Sequence, residues 1–114
     1  LAELEEKIIL PKATLHSHPS WFGFPITLRE NSGIERVKLL QHLDSKNIGS
    51  RLVFAGNLTR QPYFQHQPYR ISGELKNTDV VMNQSLWLGV CPMLTEEMLD
   101  FMVSEIKLFL TGKI

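Results

Sequence analysis

Apolar positions along the chain switch between two spacings, and the switches divide it into elements. Leu1, Leu4 and Ile8 fall on one face of a helix over residues 1–9, which Pro11 ends. Residues 12–20 form a connector. Residues 21–28, WFGFPITL, are aromatic and β-branched, bounded by Pro19 and by Asn31-Ser32-Gly33, and predict a strand. Pro25 removes one ladder donor, which puts that strand near a sheet edge or at a bulge. Gly23 opens room over the strand for a close neighbour, a second backbone before a ligand. Ser32 is placed to cap a helix over residues 33–46 whose apolar stripe is Ile34, Val37, Leu40 and Leu43, and Asn47 or Gly49 ends it. A short strand follows at residues 50–54. Thr78 or Asp79 is placed to cap a short helix reaching Asn83. Residues 85–90 read as a third strand, closed by Cys91 as a small buried hydrophobe. Thr95-Glu96-Glu97 opens the last helix: the hydroxyl caps free amides and the carboxylates complement the positive end of the dipole. Met98, Met102, Ile106 and Phe109, joined by Leu99, Val103 and Leu110, give it a broad apolar face, and Gly112 closes it.

This order predicts an α+β fold: a small three-stranded, mainly antiparallel sheet with helices against one face. The 114 residues make one domain with a single modest core. The opening Leu1-Ala2-Glu3-Leu4-Glu5-Glu6 reads as a helix entered mid-course. Residues 1–10 are therefore expected to be the tail of an interdomain helix, and the chain a C-terminal piece of a larger protein.

Composition narrows the function classes. Lys plus Arg and Asp plus Glu number 12 each, so the formal charge is zero. That balance argues against a general nucleic-acid binder and against a polybasic membrane anchor. The single cysteine, Cys91, allows no internal disulfide and no cysteine metal cluster, and fits a reduced, cytoplasmic setting. No apolar run approaches the roughly 20 residues of a membrane helix. His16 and His18 would share a face if they lay on a strand, but no third ligand lies near them in sequence, so a solvated or hydrogen-bonded pair is the simpler reading. Nucleophile elbow, phosphate loop and zinc patterns are missing. Glu5-Glu6 and Glu96-Glu97 are adjacent on helices and diverge, so neither is an acid–base couple.

The chemistry concentrates in residues 48–64, IGSRLVFAGNLTRQPYF. A strand-like start gives way to Ala55-Gly56-Asn57, which stops it because Gly and Asn tolerate left-handed angles. Asn57, Thr59, Arg60, Gln61, Pro62, Tyr63 and Phe64 then crowd donors, acceptors and two aromatics into one stretch. Polar and aromatic groups at a strand end suit a binding loop. An ordered connector whose aromatics only pack would have the same composition. His66, Tyr69 and Arg70 extend the same surface or lie on a plain exposed loop.

Residues 16–26, HSHPSWFGFPI, and 51–63, RLVFAGNLTRQPY, resemble the DegT/DnrJ/EryC1/StrS family of sugar aminotransferase-like enzymes, in particular its nucleotide-sugar 3-dehydratases of the CDP-4-keto-6-deoxyglucose 3-dehydrase type. Residues 77–79 with 86–90, then Pro92 and residues 94–97, extend the likeness to nearly the whole chain. The resemblance implies the C-terminal small domain of an aspartate-aminotransferase-type fold in a homodimeric vitamin B6 enzyme. It implies a pyridoxal or pyridoxamine phosphate (PLP or PMP) cofactor, an iron–sulfur cluster and a partner reductase, all engaged through a large N-terminal domain outside this chain, and synthesis of 3,6-dideoxyhexoses for lipopolysaccharide O-antigen. No catalytic residue is expected within these 114 residues, which would be inactive alone.

What the family pattern places here is an arginine, an aromatic three positions on, and a loop ending in Gln-Pro: Arg51, Phe54, Gln61 and Pro62. In that setting Arg51 pairs with the pyrophosphate of a nucleotide sugar, a CDP-hexose. Phe54 and Tyr63 form an apolar wall, and Asn57 and Gln61 bond sugar hydroxyls. The aminotransferases of the family commonly carry a tyrosine and a Leu-His pair in this loop. Phe54 and Asn57-Leu58-Thr59-Arg60 depart from that and favour a dehydratase. A sugar aminotransferase of the same family and a stand-alone binding module without catalysis stay open as alternatives.

Overall fold

In the computed structural model of the protein, which describes residues 1–113, Ile8–Ile9 (β1) pairs antiparallel with Gly23–Leu28 (β2), Ile8 opposite Leu28 and Ile9 opposite Thr27. This replaces the helix expected over residues 1–9. Only Ala2–Leu4 coils, as one 3-10 turn. A nine-residue segment is too short to hold a helix by itself, whereas two β-branched residues beside an open strand edge gain ladder bonds at once. The periodicity still marked the right side chains, since Leu4 and Ile8 are both buried.

Ser50–Leu52 (β3) and Ser85–Gly89 (β4) complete a four-stranded antiparallel sheet in the order β1-β2-β4-β3. The sheet thus has one strand more than the sequence pattern predicts, contributed by Ile8–Ile9. The last strand in sequence lies between β2 and β3. Pro25 pairs with Trp87 on the β4 side, while β1 reaches only Thr27 and Leu28. Pro25 therefore sits where β2 has no second neighbour, the edge position its missing N–H requires.

One face of the sheet carries Ile8, Ile26, Leu28, Leu86 and Leu88. Leu39 and Leu43 of Arg36–Ser45 (α1), and Ile106 and Leu110 of Glu96–Leu110 (α3), close over the same core. Burying each such side chain stabilises the fold by about 1.5–3 kcal/mol. The stripe of α1 differs from the predicted one. Glu30–Ser32 forms a 3-10 turn, and Ser32 Oγ accepts from the Ile34 N–H at 3.3 Å instead of capping the helix. The helix starts at Arg36, turns Leu39 and Leu43 inward, and leaves Val37 58% exposed. Asn47, in the left-handed region at φ 57°, follows its last turn.

Lys76–Gln84 (α2) begins after Leu75 with no side-chain cap and runs directly into β4. Thr78 and Asp79 are inside the helix and cap nothing, because helical bonding starts upstream of both, with the Asp79 N–H already donating to the Leu75 carbonyl. Arg36 Nη1 donates to the carbonyls of Met82 and Ser85, at 2.5 and 3.0 Å, and fixes the α2–β4 junction. In α3, Thr95 caps as predicted, its hydroxyl accepting from the Met98 N–H at 3.2 Å. Only the C-terminal half of α3 is deeply buried; Met98, Leu99 and Phe101 are exposed. Leu99, with Leu94 and Met102, helps to line an apolar groove of about 380 Å³. Cys91 is exposed too, contrary to the buried strand end expected, because β4 stops at Gly89 opposite Gly23 and the chain leaves the sheet there. Among the described residues, no helix is long and apolar enough to cross a membrane.

Candidate functional site

Antiparallel register puts Arg51 of β3 directly opposite Trp87 of β4. Two phenylalanines meet that indole edge-to-face: Phe54 at 5.1 Å and 78°, Phe22 at 5.3 Å and 65°. Such geometry suits the ring quadrupoles and adds about 0.5–1.5 kcal/mol per pair beyond area burial. Gly23 makes the arrangement possible. A Cβ there would lie 2.9 Å from Cε3 of Trp87 and 3.4 Å from the Leu88 carbonyl oxygen, so an indole ring comes nearest, with the neighbouring strand's backbone just beyond it.

Phe22, Arg51, Phe54 and Trp87 line an open groove of about 570 Å³. The Arg51 guanidinium donates from Nη1 to its neighbour's carbonyl, Ser50, at 3.2 Å. Among the described residues no carboxylate lies within ion-pair distance of it, whereas Arg60 is paired. A guanidinium beside three rings, with its charge uncommitted, is equipped to take a phosphate or carboxylate whose other end stacks on aromatic surface.

The loop beyond Phe54 is built differently. Gly56 adopts φ +66°, and the Met82 side chain fills the space a Cβ would need, 2.8 Å from Cγ. The next residue, Asn57, is 2% exposed. Its Nδ2 donates to Asp79 Oδ1 at 2.7 Å, and its Oδ1 accepts from the Thr59 N–H at 3.1 Å and the Thr59 hydroxyl at 2.7 Å. That second pair of bonds caps the 3-10 turn Leu58–Arg60. Arg60 grips the same carboxylate in a fork, Nε to Oδ1 at 2.7 Å and Nη2 to Oδ2 at 2.5 Å. Arg60, and after it Asn57, hold the Asp79 carboxyl down at about 2 against an ordinary 3.8. Gln61 Nε2 donates to the Ala55 carbonyl at 3.0 Å and folds the loop back toward the end of β3. Tyr63 stands exposed on the 3-10 turn Pro62–Phe64, its ring edge-to-face with Phe64 at 6.1 Å.

The five residues singled out in the sequence therefore fall into groups. Arg51 and Phe54 share the groove. Gln61 is tied back to the residue after Phe54. Asn57 points into the protein, with its amide occupied by Asp79 and Thr59. Tyr63 lies further along the loop, outside the groove lining. Sequence reasoning read Phe22 and Trp87 only as strand residues and Asp79 only as a cap. The first two join the site through a register that local pattern does not encode, and Asp79 through a contact across 22 residues. His16 and His18 lie in a loop, and among the described residues no three His, Cys, Asp or Glu side chains are grouped to hold a metal ion.

The model of the DegT/DnrJ/EryC1/StrS aminotransferase family matches residues 1–107. The chain belongs to this family. Among curated relatives, it is 56% identical over 109 residues to the lipopolysaccharide biosynthesis protein RfbH of Salmonella typhimurium (strain LT2), covering 96% of this chain and 25% of that protein. It is 47% identical over 102 residues to dTDP-4-dehydro-2,6-dideoxy-D-glucose 3-dehydratase of Saccharopolyspora spinosa, covering 90% of this chain and 22% of that one. The chain thus spans about a quarter of the length of these relatives. Its fold matches a solved structure of E. coli GDP-4-keto-6-deoxy-D-mannose-3-dehydratase with bound hydrated PLP, at a TM-score of 0.79 and 22% identity over 88% of this chain and 25% of that one. The small α+β unit of the aspartate-aminotransferase-type fold expected from the sequence is the fold observed, with four strands in place of three.

Proposed function

We propose that these residues are the substrate-side, C-terminal part of a vitamin B6-dependent nucleotide-sugar 3-dehydratase that makes 3,6-dideoxyhexoses for lipopolysaccharide O-antigen. Membership of the family, and 56% identity to a lipopolysaccharide biosynthesis protein over nearly the whole chain, support the reading. The observation that carries the assignment of a site is the uncommitted Arg51 guanidinium in an aromatic groove. In this reading Arg51 pairs with the pyrophosphate of a CDP-hexose, and Phe22, Phe54 and Trp87 give it an apolar wall. Gln61 and Tyr63 meet the sugar side. Asn57 contributes by shaping the loop, since its amide is spent within the protein.

The groove residues do not fit the cofactor. No lysine or histidine is among them, and the Arg51 guanidinium is their one cation. PLP or PMP belongs to the part of the protein outside this chain, where it supplies the electron sink for loss of the C3 hydroxyl. An iron–sulfur cluster, a partner reductase and a homodimeric assembly complete the reading. These residues on their own bind and orient substrate and perform no chemistry.

The test is Arg51→Ala in the whole protein, with affinity for CDP and for CDP-4-keto-6-deoxyglucose measured by calorimetry. Losing a charge-assisted phosphate contact of about 1.5–3 kcal/mol weakens both ligands roughly 10- to 100-fold. Unchanged affinity for both removes the groove from the substrate site.

A further inference from the structure

Two residues one helical turn apart on α2, Asp79 and Met82, hold the loop between Phe54 and Gln61 at separate points. Asp79 takes the Asn57 amide and the Arg60 fork. Met82 fills the space beneath Gly56, and its Sδ lies 3.3 Å from the Asn57 backbone nitrogen. Asn57 lies at the centre, buried and bonded outward in both directions, so it transmits the position of Asp79 to the 3-10 turn Leu58–Arg60. Gln61 begins where that turn ends, and Tyr63 follows two residues on. Arg51 is not part of this bonding: it sits on β3, located by the ladder to β4.

We propose that Asp79 is a positioning residue for substrate: a latch that fixes Asn57 and Arg60 and thereby sets where Gln61 and Tyr63 meet the sugar, without touching the ligand. The proposal rests on the nucleotide-sugar reading above and deepens it by dividing the site. The β3 side, through Arg51, holds the diphosphate. The latched loop reads what is attached to it. Asp79 therefore governs discrimination between a nucleotide sugar and the bare nucleoside diphosphate.

The experiment measures CDP and CDP-4-keto-6-deoxyglucose binding by calorimetry on the whole protein, for wild type, Asp79→Ala, Arg60→Ala, the double variant and Arg51→Ala. Displacing a positioned loop costs roughly tenfold or more at the groups it carries. Asp79→Ala and Arg60→Ala are each expected to weaken the CDP-sugar about tenfold while leaving CDP within twofold. The double variant should be no worse than the stronger single one, because both break one latch. Arg51→Ala should weaken both ligands. Arg60 is exposed, so Arg60→Ala keeps the test decisive if Asp79→Ala does not fold. Equal losses for CDP and the CDP-sugar, or no loss in either latch variant, overturn the latch while an Arg51 effect leaves the broader reading standing. Failure of the wild type to bind either ligand overturns both.

Discussion

Lys7 Nζ donates to the Leu110 carbonyl oxygen at 2.6 Å, joining residues 103 apart in sequence. The last carbonyls of a helix lack intrahelical partners and carry partial negative charge, so an ammonium there meets both needs. Glu3 adds a second tie at 2.6 Å from Lys107, one turn earlier. Lys7→Met should destabilise this end of α3 by about 0.5–1 kcal/mol. Faster hydrogen exchange of the amides of the last turn, confined to that turn, is the expected signature.

The observed face of α1 separates a leucine and a valine that the sequence pattern sorts the other way. Leu39 is fully buried and Val37 is not. Leu39→Ala should cost about 2–5 kcal/mol through lost burial and a cavity. Val37→Ala should stay within about 0.5 kcal/mol. Urea unfolding of the two variants would return the opposite order, with Val37→Ala the more costly, if the predicted stripe, with Val37 inward and Leu39 off it, were correct.

Gly23→Ala puts a methyl group against Trp87 where 2.9 Å is available. The indole must shift, and with it the edge-to-face contacts to Phe22 and Phe54. Overpacking of this kind costs about 1–3 kcal/mol. Near-UV circular dichroism should change in the tryptophan region, and far-UV signal should not. An unaltered tryptophan band would mean the ring does not lie over Gly23.

The Asp79 carboxyl, held at about 2 in the fold against 3.8 ordinarily, gives a pH dependence of definite sign. The folded state takes up this proton less readily than the unfolded chain. Its contribution is therefore complete above about pH 3.8 and disappears as pH falls through about 2. Urea midpoints of wild type and Asp79→Asn should differ at pH 5 and converge toward pH 2. A constant gap across that range would exclude the ion pair with Arg60 as its source.

Much of this architecture can be read in the chain itself, and the parts that cannot share a cause. Pro25 announced a strand with one open side, Thr95 a helix start, and Gly112 a helix end at φ +67°. Each is a local signal with a local consequence. Residues 1–9 have helical spacing, yet coil only at Ala2–Leu4 and end as a strand at Ile8–Ile9, because the edge of β2 outweighs the weak propensity of a short segment. Arg51 and Phe54 carry their chemistry on their faces. Trp87, Phe22 and Asp79 do not, since the roles of Trp87 and Phe22 exist only once β4 is placed between β2 and β3, and that of Asp79 only once α2 is docked on the loop. Asn57 reads as a ligand-binding amide in sequence and is consumed by the fold for the same reason: hydrogen-bonding capacity is visible in the residue, but its direction is not.

The sheet order has a consequence for how the chain comes into being. Synthesis runs from the N-terminal side, so β2 and β3 leave the ribosome well before the strand that separates them. Until residues 85–89 emerge, β3 has no partner and β2 has only the two-residue β1. Sheet closure is therefore a late event, dominated by contacts distant in sequence, which are slow to form. Through that interval the nascent chain presents unpaired strand edges, the state most prone to aggregate and most in need of a chaperone.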